Sequence, residues 1–177
     1  SGKIPMLYKH GFRGPIICTA ATRDLANIML LDSAFLQEKD AEFVNKLHEK
    51  KGLPPVQPLY VADDVIDVLG QFETVGCRRK TRVTENVDVT FFDAGHILGS
   101  AISLYDIRDN GRELQLCFTG DLGRPDRPIL KDPEHVGDVD VLISESTYGG
   151  RVHKLDEVIL EILEDVIKRT IARSGKI

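Results

Sequence analysis

Apolar and polar residues alternate along Val87-Asp88-Val89-Thr90-Phe91-Phe92, along Ala101-Ile102-Ser103-Leu104-Tyr105-Asp106-Ile107, and along Glu113-Leu114-Gln115-Leu116-Cys117-Phe118. Alternation of this kind predicts strands with one face buried. Asp109-Asn110-Gly111-Arg112, between the second and third runs, has the chemistry of a tight hairpin turn. The loop entering this hairpin and the loop leaving it each carry a glycine followed directly by a metal-competent side chain, Gly95-His96 and Gly120-Asp121. An antiparallel pair joined by a tight turn returns its outgoing end beside its incoming start. The pattern therefore predicts that His96 and Asp121 lie side by side, although they are distant in sequence.

Around this hairpin the chain reads as mixed α and β. Residues 1–12 predict a short helix closing at Gly11, and Gly14-Pro15-Ile16-Ile17-Cys18-Thr19 a short buried strand. From Ala21 a long helical stretch keeps Leu25, Ile28, Met29 and Leu36 at roughly helical spacing until Gly52 and Leu53-Pro54-Pro55 end it. Asp63-Asp64-Val65-Ile66-Asp67-Val68-Leu69 predicts a short helix whose leading carboxylates act as caps rather than as a catalytic pair. Cys77-Arg78-Arg79-Lys80-Thr81-Arg82 is the one dense basic run. It reads either as an exposed strand end or as a strip along which a polyanion can lie. Residues 139–144 predict a buried strand ending in Glu145-Ser146-Thr147-Tyr148-Gly149. From His153 an amphipathic helix carries a stripe of Leu155, Val158, Ile159, Ile162, Leu163, Val166 and Ile167, which reads as core and closes at Ser174-Gly175.

Composition changes this picture only modestly. With 177 residues, 42% of them hydrophobic, the chain is long enough for one ordinary core. The three cysteines, Cys18, Cys77 and Cys117, are scattered and form neither a metal pair nor a disulfide framework, so a cytoplasmic setting is expected. No apolar run approaches the roughly 18 to 20 residues that span a bilayer, so no membrane partner is expected. A net charge of −5 argues against broad coating of nucleic acid, though not against a local basic strip holding phosphate.

Two stretches carry a family resemblance: Gly95-His96-Ile97-Leu98-Gly99-Ser100-Ala101 and Phe118-Thr119-Gly120-Asp121-Leu122-Gly123-Arg124. Each is similar over several consecutive positions to the third and fourth metal motifs of the metallo-β-lactamase superfamily, in the form of its β-CASP branch of nucleases. The Glu145-Ser146-Thr147-Tyr148-Gly149 stretch resembles the first motif of that branch's inserted cap domain. In this family a Ser-Gly-Lys-Ile-Pro-like segment, here Ser1 to Pro5, follows directly on a His-x-His-x-Asp-His motif, and no such motif occurs in the sequence. The chain thus reads as an internal fragment. Residues 1–145 are expected to be part of an αββα metallo-β-lactamase sandwich and 146–177 the beginning of the β-CASP cap.

The resemblance implies a zinc-dependent, RNA-processing nuclease that uses two zinc ions, with an incomplete site in this chain. His96 matches the third-motif ligand and Asp121 the carboxylate that bridges both ions. Glu145 is expected to steady a ligand imidazole, and Gly99 and Ser100 to shape the approach of the phosphate. Two ligands are fewer than a catalytic zinc site uses, so this chain by itself is expected to be inactive. A small-ester, thioester or phosphodiester hydrolase of the same superfamily, and a non-catalytic scaffold that lost the metal motif, stand as alternatives; the cap-like segment after Glu145 favours the nuclease. His10, His48 and His135 have no partner at ligand spacing and read as surface or loop residues, and His153 is unassigned. The missing strands are expected to leave an under-covered sheet face through which the chain self-associates.

Overall fold

The computed structural model describes residues 2–151 and 156–176, which fall into two compact units, 1–145 and 146–177. His153, Leu155 and the side chain of Val158 lie outside what is described.

The first unit begins with helix α1 (Ile4–Lys9), strand β1 (Ile16–Cys18) and the long helix α2 (Ala20–Lys51). Thr19 caps α2 by accepting the Thr22 backbone N–H, and Gly52 ends it in the left-handed conformation. Helix α3 (Ala62–Leu69) follows, and Asp64 accepts the Val61 backbone N–H, so the acidic start does act as a cap. Strand β2 (Phe72–Thr74) pairs in parallel with β1. These elements close on a core of Cys18, Leu30, Ala34, Tyr60, Val65 and Phe72. The face of α2 that is buried is Leu30, Ala34 and Ala41, whereas the larger Leu25, Ile28, Met29 and Leu36 are exposed. Small alanines let α3 and Tyr60 approach the helix closely, and the bulky side chains are turned outward.

The second part of this unit is a five-stranded sheet in the order β3 (Thr81–Thr84), β4 (Val87–Asp93), β5 (Ala101–Asp109), β6 (Arg112–Phe118), β7 (Val141–Ile143). All neighbours are antiparallel except β6 and β7, which run parallel. The fold is thus mixed α/β with a mixed sheet, the class expected from the sequence. Asn110 and Gly111 both take positive φ between the paired Asp109 and Arg112, which is the two-residue turn the sequence implied. One sheet face packs Ile102 and Cys117 with Ala94, Phe92, Leu104, Leu122, Val136 and Val139. Strand β7 departs from expectation: Val141, Leu142 and Ile143 are all exposed instead of buried. It is an edge strand that pairs on one side only, with β6.

In the second unit, helix α4 (Asp156–Ala172) carries exposed Ile159, Leu160, Ile162, Leu163 and Val166. Of the stripe expected to be core, Ile159, Ile162, Leu163 and Val166 are thus open to solvent and Ile167 is half-buried. Ion pairs Glu164–Lys168 and Asp165–Arg169 run along its polar side.

Candidate metal and active site

The site is built where the loop entering the β5–β6 hairpin meets the loop leaving it. Ala94 donates to Ser100 O and Ser100 N to Ile97 O, which folds residues 94–100 into a tight loop. The Ser100 hydroxyl accepts from the backbone N–H of His96 and of Ile97 and donates to Ile97 O. Ser100 therefore shapes the loop that presents His96. Gly99 is turned toward α2, and its carbonyl receives the hydroxyls of Thr19 and Thr22, each at 2.8 Å. A Cβ at Gly99 would lie 2.7 Å from Thr22 N, so only glycine permits this approach.

The outgoing loop is drawn onto the incoming one by backbone contact. Gly123 N donates to Ala94 O at 2.8 Å, and any Cβ on Gly123 would fall on the Gly95 carbonyl. Gly123 is thus needed for the two loops to touch backbone to backbone, while a Cβ on Gly95 would instead meet Lys131 O and Pro133. Glu145, at the end of β7, accepts the Leu122 N–H on Oε1 at 2.7 Å, fixing the residue directly after Asp121. Thr119 is buried and donates its hydroxyl to Gly120 O. Glu134 braces the other side: its Oε1 accepts from Asp93 N and its own N–H donates to Asp93 O. Hydrophobic periodicity does not mark Glu134, Thr19 or Thr22 as parts of the site. A Thr-x-x-Thr pair at a helix start was the one available signal for the last two.

These restraints set His96 Nε2 3.9 Å from Asp121 Oδ2, with both side chains open to solvent. That separation is beyond a hydrogen bond but within the reach of two ligands bonded at ~2.0 to 2.2 Å to one ion, which can stand up to about 4 Å apart. Imidazole nitrogen and carboxylate oxygen are both zinc donors, and a carboxylate has two oxygens for two ions. The two residues therefore fit half of a metal site. Among the described residues no group of three or more His, Cys, Asp and Glu is gathered to hold an ion. The other histidines have local tasks: Nδ1 of His10 and of His48 each lies 2.7 Å from a backbone carbonyl, Met6 O and Pro54 O, and His135 accepts from Gly137 N.

No protein-family model matches the chain. Three curated proteins are similar to it over nearly its whole length. Ribonuclease TTHA0252 of Thermus thermophilus is 28% identical over 177 residues, covering 99% of this chain and 36% of the relative. Transcription termination factor FttA of Methanosarcina mazei is 32% identical over 179 residues, covering 98% of this chain and 25% of the relative. Endoribonuclease YSH1 of Gibberella zeae is 27% identical over 170 residues, covering 93% of this chain and 18% of the relative. The chain thus spans about a third of the first relative's length and about a quarter or less of the other two. Among the described residues, no helix is long and apolar enough to cross a membrane.

Proposed function

We propose that this chain, which belongs to the metallo-β-lactamase superfamily in its β-CASP branch, supplies two metal ligands and their supporting loops to a zinc-dependent RNA nuclease. The observation that carries the reading is the 3.9 Å approach of His96 Nε2 to Asp121 Oδ2 on two loops locked together through Gly95 and Gly123. Relatives named as a ribonuclease and an endoribonuclease support RNA as the substrate.

Zinc bound there supplies Lewis acidity toward a phosphodiester and toward the water that attacks it. The chain's own part is orientation. Ser100 holds the His96 loop, and Thr19 and Thr22 hold Gly99 against α2. Glu145 fixes Leu122 and so limits the swing of Asp121, whose carboxylate would hold the metal. The Glu145 carboxylate, partly buried beside this loop, also has the chemistry to accept from a ligand imidazole and steady it. Gly99 and Ser100 act on a phosphate indirectly, through the shape of the loop they build.

The test is made in the whole protein that carries this chain, with RNA cleavage and bound zinc measured together. His96→Ala and Asp121→Ala are each expected to reduce cleavage by at least roughly a hundredfold and to lower zinc content, more than removal of a supporting residue does. Cleavage at the wild-type rate in either variant would overturn the reading. This chain alone, with two of the ligands, is expected to hold well under one zinc and to leave RNA intact.

A further inference from the structure

The basic run Cys77–Arg82 is not a set of loose surface charges. It lies at the β3 edge of the five-stranded sheet, and three of its four cations, Arg78, Lys80 and Arg82, are held from beneath by carboxylates. Arg78 Nε bonds Glu134 Oε2 at 2.7 Å, and Arg82 Nε bonds Asp88 Oδ1 at 2.8 Å. Lys80 Nζ lies 2.7 Å from Asp106 and 4.0 Å from Asp88, and Arg108 Nη2 reaches Asp88 Oδ2 from β5 at 3.0 Å. The division of exposure is sharp: the four cationic side chains are 35% to 74% exposed and the three carboxylates 8% to 20%.

Both Arg78 and Arg82 use Nε for the carboxylate below, and their terminal Nη nitrogens make no hydrogen bond among the described residues. The planar fork of each guanidinium is therefore anchored at its base with its two-nitrogen end toward water, the geometry that takes a phosphate. Arg79, exposed and without a carboxylate partner among the described residues, brings the cations to five, against Glu134, Asp88, Asp106 and, across from Arg108 on β6, Glu113. Blocking an open strand edge against pairing needs charge but not anchored charge. Anchoring lowers the entropy lost when an anion is bound, which is what a binding surface gains from it.

The strip is also continuous with the candidate site. Arg78 N donates to Phe91 O at 2.7 Å, and the same Glu134 that anchors Arg78 holds Asp93, three residues before His96. From there Lys80 and Arg82 run along β4 away from the site, with Arg82 opposite Asp88.

We propose that Arg78, Arg79, Lys80 and Arg82, with Arg108, form a track for the phosphate backbone of single-stranded RNA leading away from His96 and Asp121. The proposal rests on the nuclease reading for its substrate class.

Binding of a fluorescein-labelled single-stranded RNA to the whole protein, followed by anisotropy in EDTA across a salt series, tests it. Each backbone phosphate contact contributes about 0.7 to the slope of log K against log salt for a single strand. The double variant Arg78→Gln, Arg82→Gln should bind more weakly with a slope shallower by about 1.4. Because that variant strips partners from Glu134 and Asp88, Arg79→Gln is made beside it; Arg79 carries no such partner, and its loss should shift the slope by about 0.7 with thermal stability unchanged. Slopes equal to wild type in both variants would overturn the track. So would an equal fall in Lys39→Gln, on the exposed side of α2, since net charge alone would then explain the effect. Preferential retention of an acidic peptide over RNA would also overturn it, pointing to a protein partner. His96→Ala should remove cleavage and leave the slope intact, so failure of the nuclease reading and failure of the track are separately visible.

Discussion

Thr22 Oγ1 donates to the carbonyl of Gly99 at 2.8 Å, joining the first turn of the long helix α2 to the loop that carries His96. Thr19 Oγ1 stands at the same distance from that carbonyl and 2.9 Å from Thr22 Oγ1. Each hydroxyl has one proton, so the carbonyl's two lone pairs can be filled by both threonines. The loop is thereby referred to the most extended rigid element of the unit.

Two substitutions probe this join. Gly99→Ala puts a Cβ 2.7 Å from Thr22 N at a φ of +89°, and the conformational term alone is about 1–2 kcal/mol. A stability loss above about 2 kcal/mol is expected by thermal or urea unfolding, since the clash adds to that term. Thr22→Val removes one donor and should cost about 1 kcal/mol, while Thr22→Ser should restore it. Equal stability of the valine and serine variants would show that the hydroxyl contributes nothing.

Glu145 offers a separate test of the outgoing loop. Glu145→Ala removes the acceptor of the Leu122 N–H and should destabilise the unit by about 1.5–3 kcal/mol, the range for a bond to a charged acceptor. Glu145→Gln keeps an amide oxygen in the same place and should retain most of that stability. In the whole protein, zinc affinity should fall with the alanine variant by about 10- to 100-fold. An alanine variant with unaltered zinc affinity would remove Glu145 from the support of Asp121.

Acid should act through the buried carboxylates of the cationic strip. Burial opposes ionisation of Asp88, but hydrogen bonds and charge from Arg108 and Arg82 outweigh it and hold its pKa below the ordinary value. Asp106 is lowered mainly by the hydrogen bond from Lys80, and Glu134 mainly by the backbone N–H of Asp93. A carboxyl with a folded pKa below its unfolded one contributes stability that is complete above the unfolded value and is lost as pH falls through the folded one. Stability measured by circular dichroism should therefore be flat near neutrality and decline from about pH 5 downward. Asp88→Asn should make the decline shallower. A decline just as steep in the asparagine variant would show that Asp88 is not among the groups responsible.

The sheet edge opposite the cationic strip carries apolar surface, with Phe118, Val141, Leu142 and Ile143 exposed on β6 and β7. An unpaired edge and open apolar face of this kind favour association with another chain. This chain alone is expected to self-associate in sedimentation at high micromolar concentration, and Leu142→Lys on β7 should reduce it. A clean monomer would show that the surface is tolerated in water.

What the sequence determined by itself was local and periodic. Alternation placed β4, β5 and β6, Asn110-Gly111 placed the turn between them, and the two-residue turn dictated that the hairpin bring His96 and Asp121 to the same end. Gly52 and the Asp64 cap marked helix ends for the same reason: the groups that satisfy a helix terminus lie within a few residues of it. Strand β2 was not legible because it is three residues long and gains its identity only from its partner β1, and β3 showed only as the exposed strand end of the basic run. Burial was the other quantity out of reach. The residues of β7 and α4 read as core because apolar periodicity records which face seeks cover, whereas cover depends on what the tertiary structure places opposite. The same holds for Glu134, Thr19 and Thr22, whose partners lie 41, 80 and 77 residues away. Only the folded chain decides that a carboxylate on one loop, and two hydroxyls at a helix start, hold the loop that presents His96.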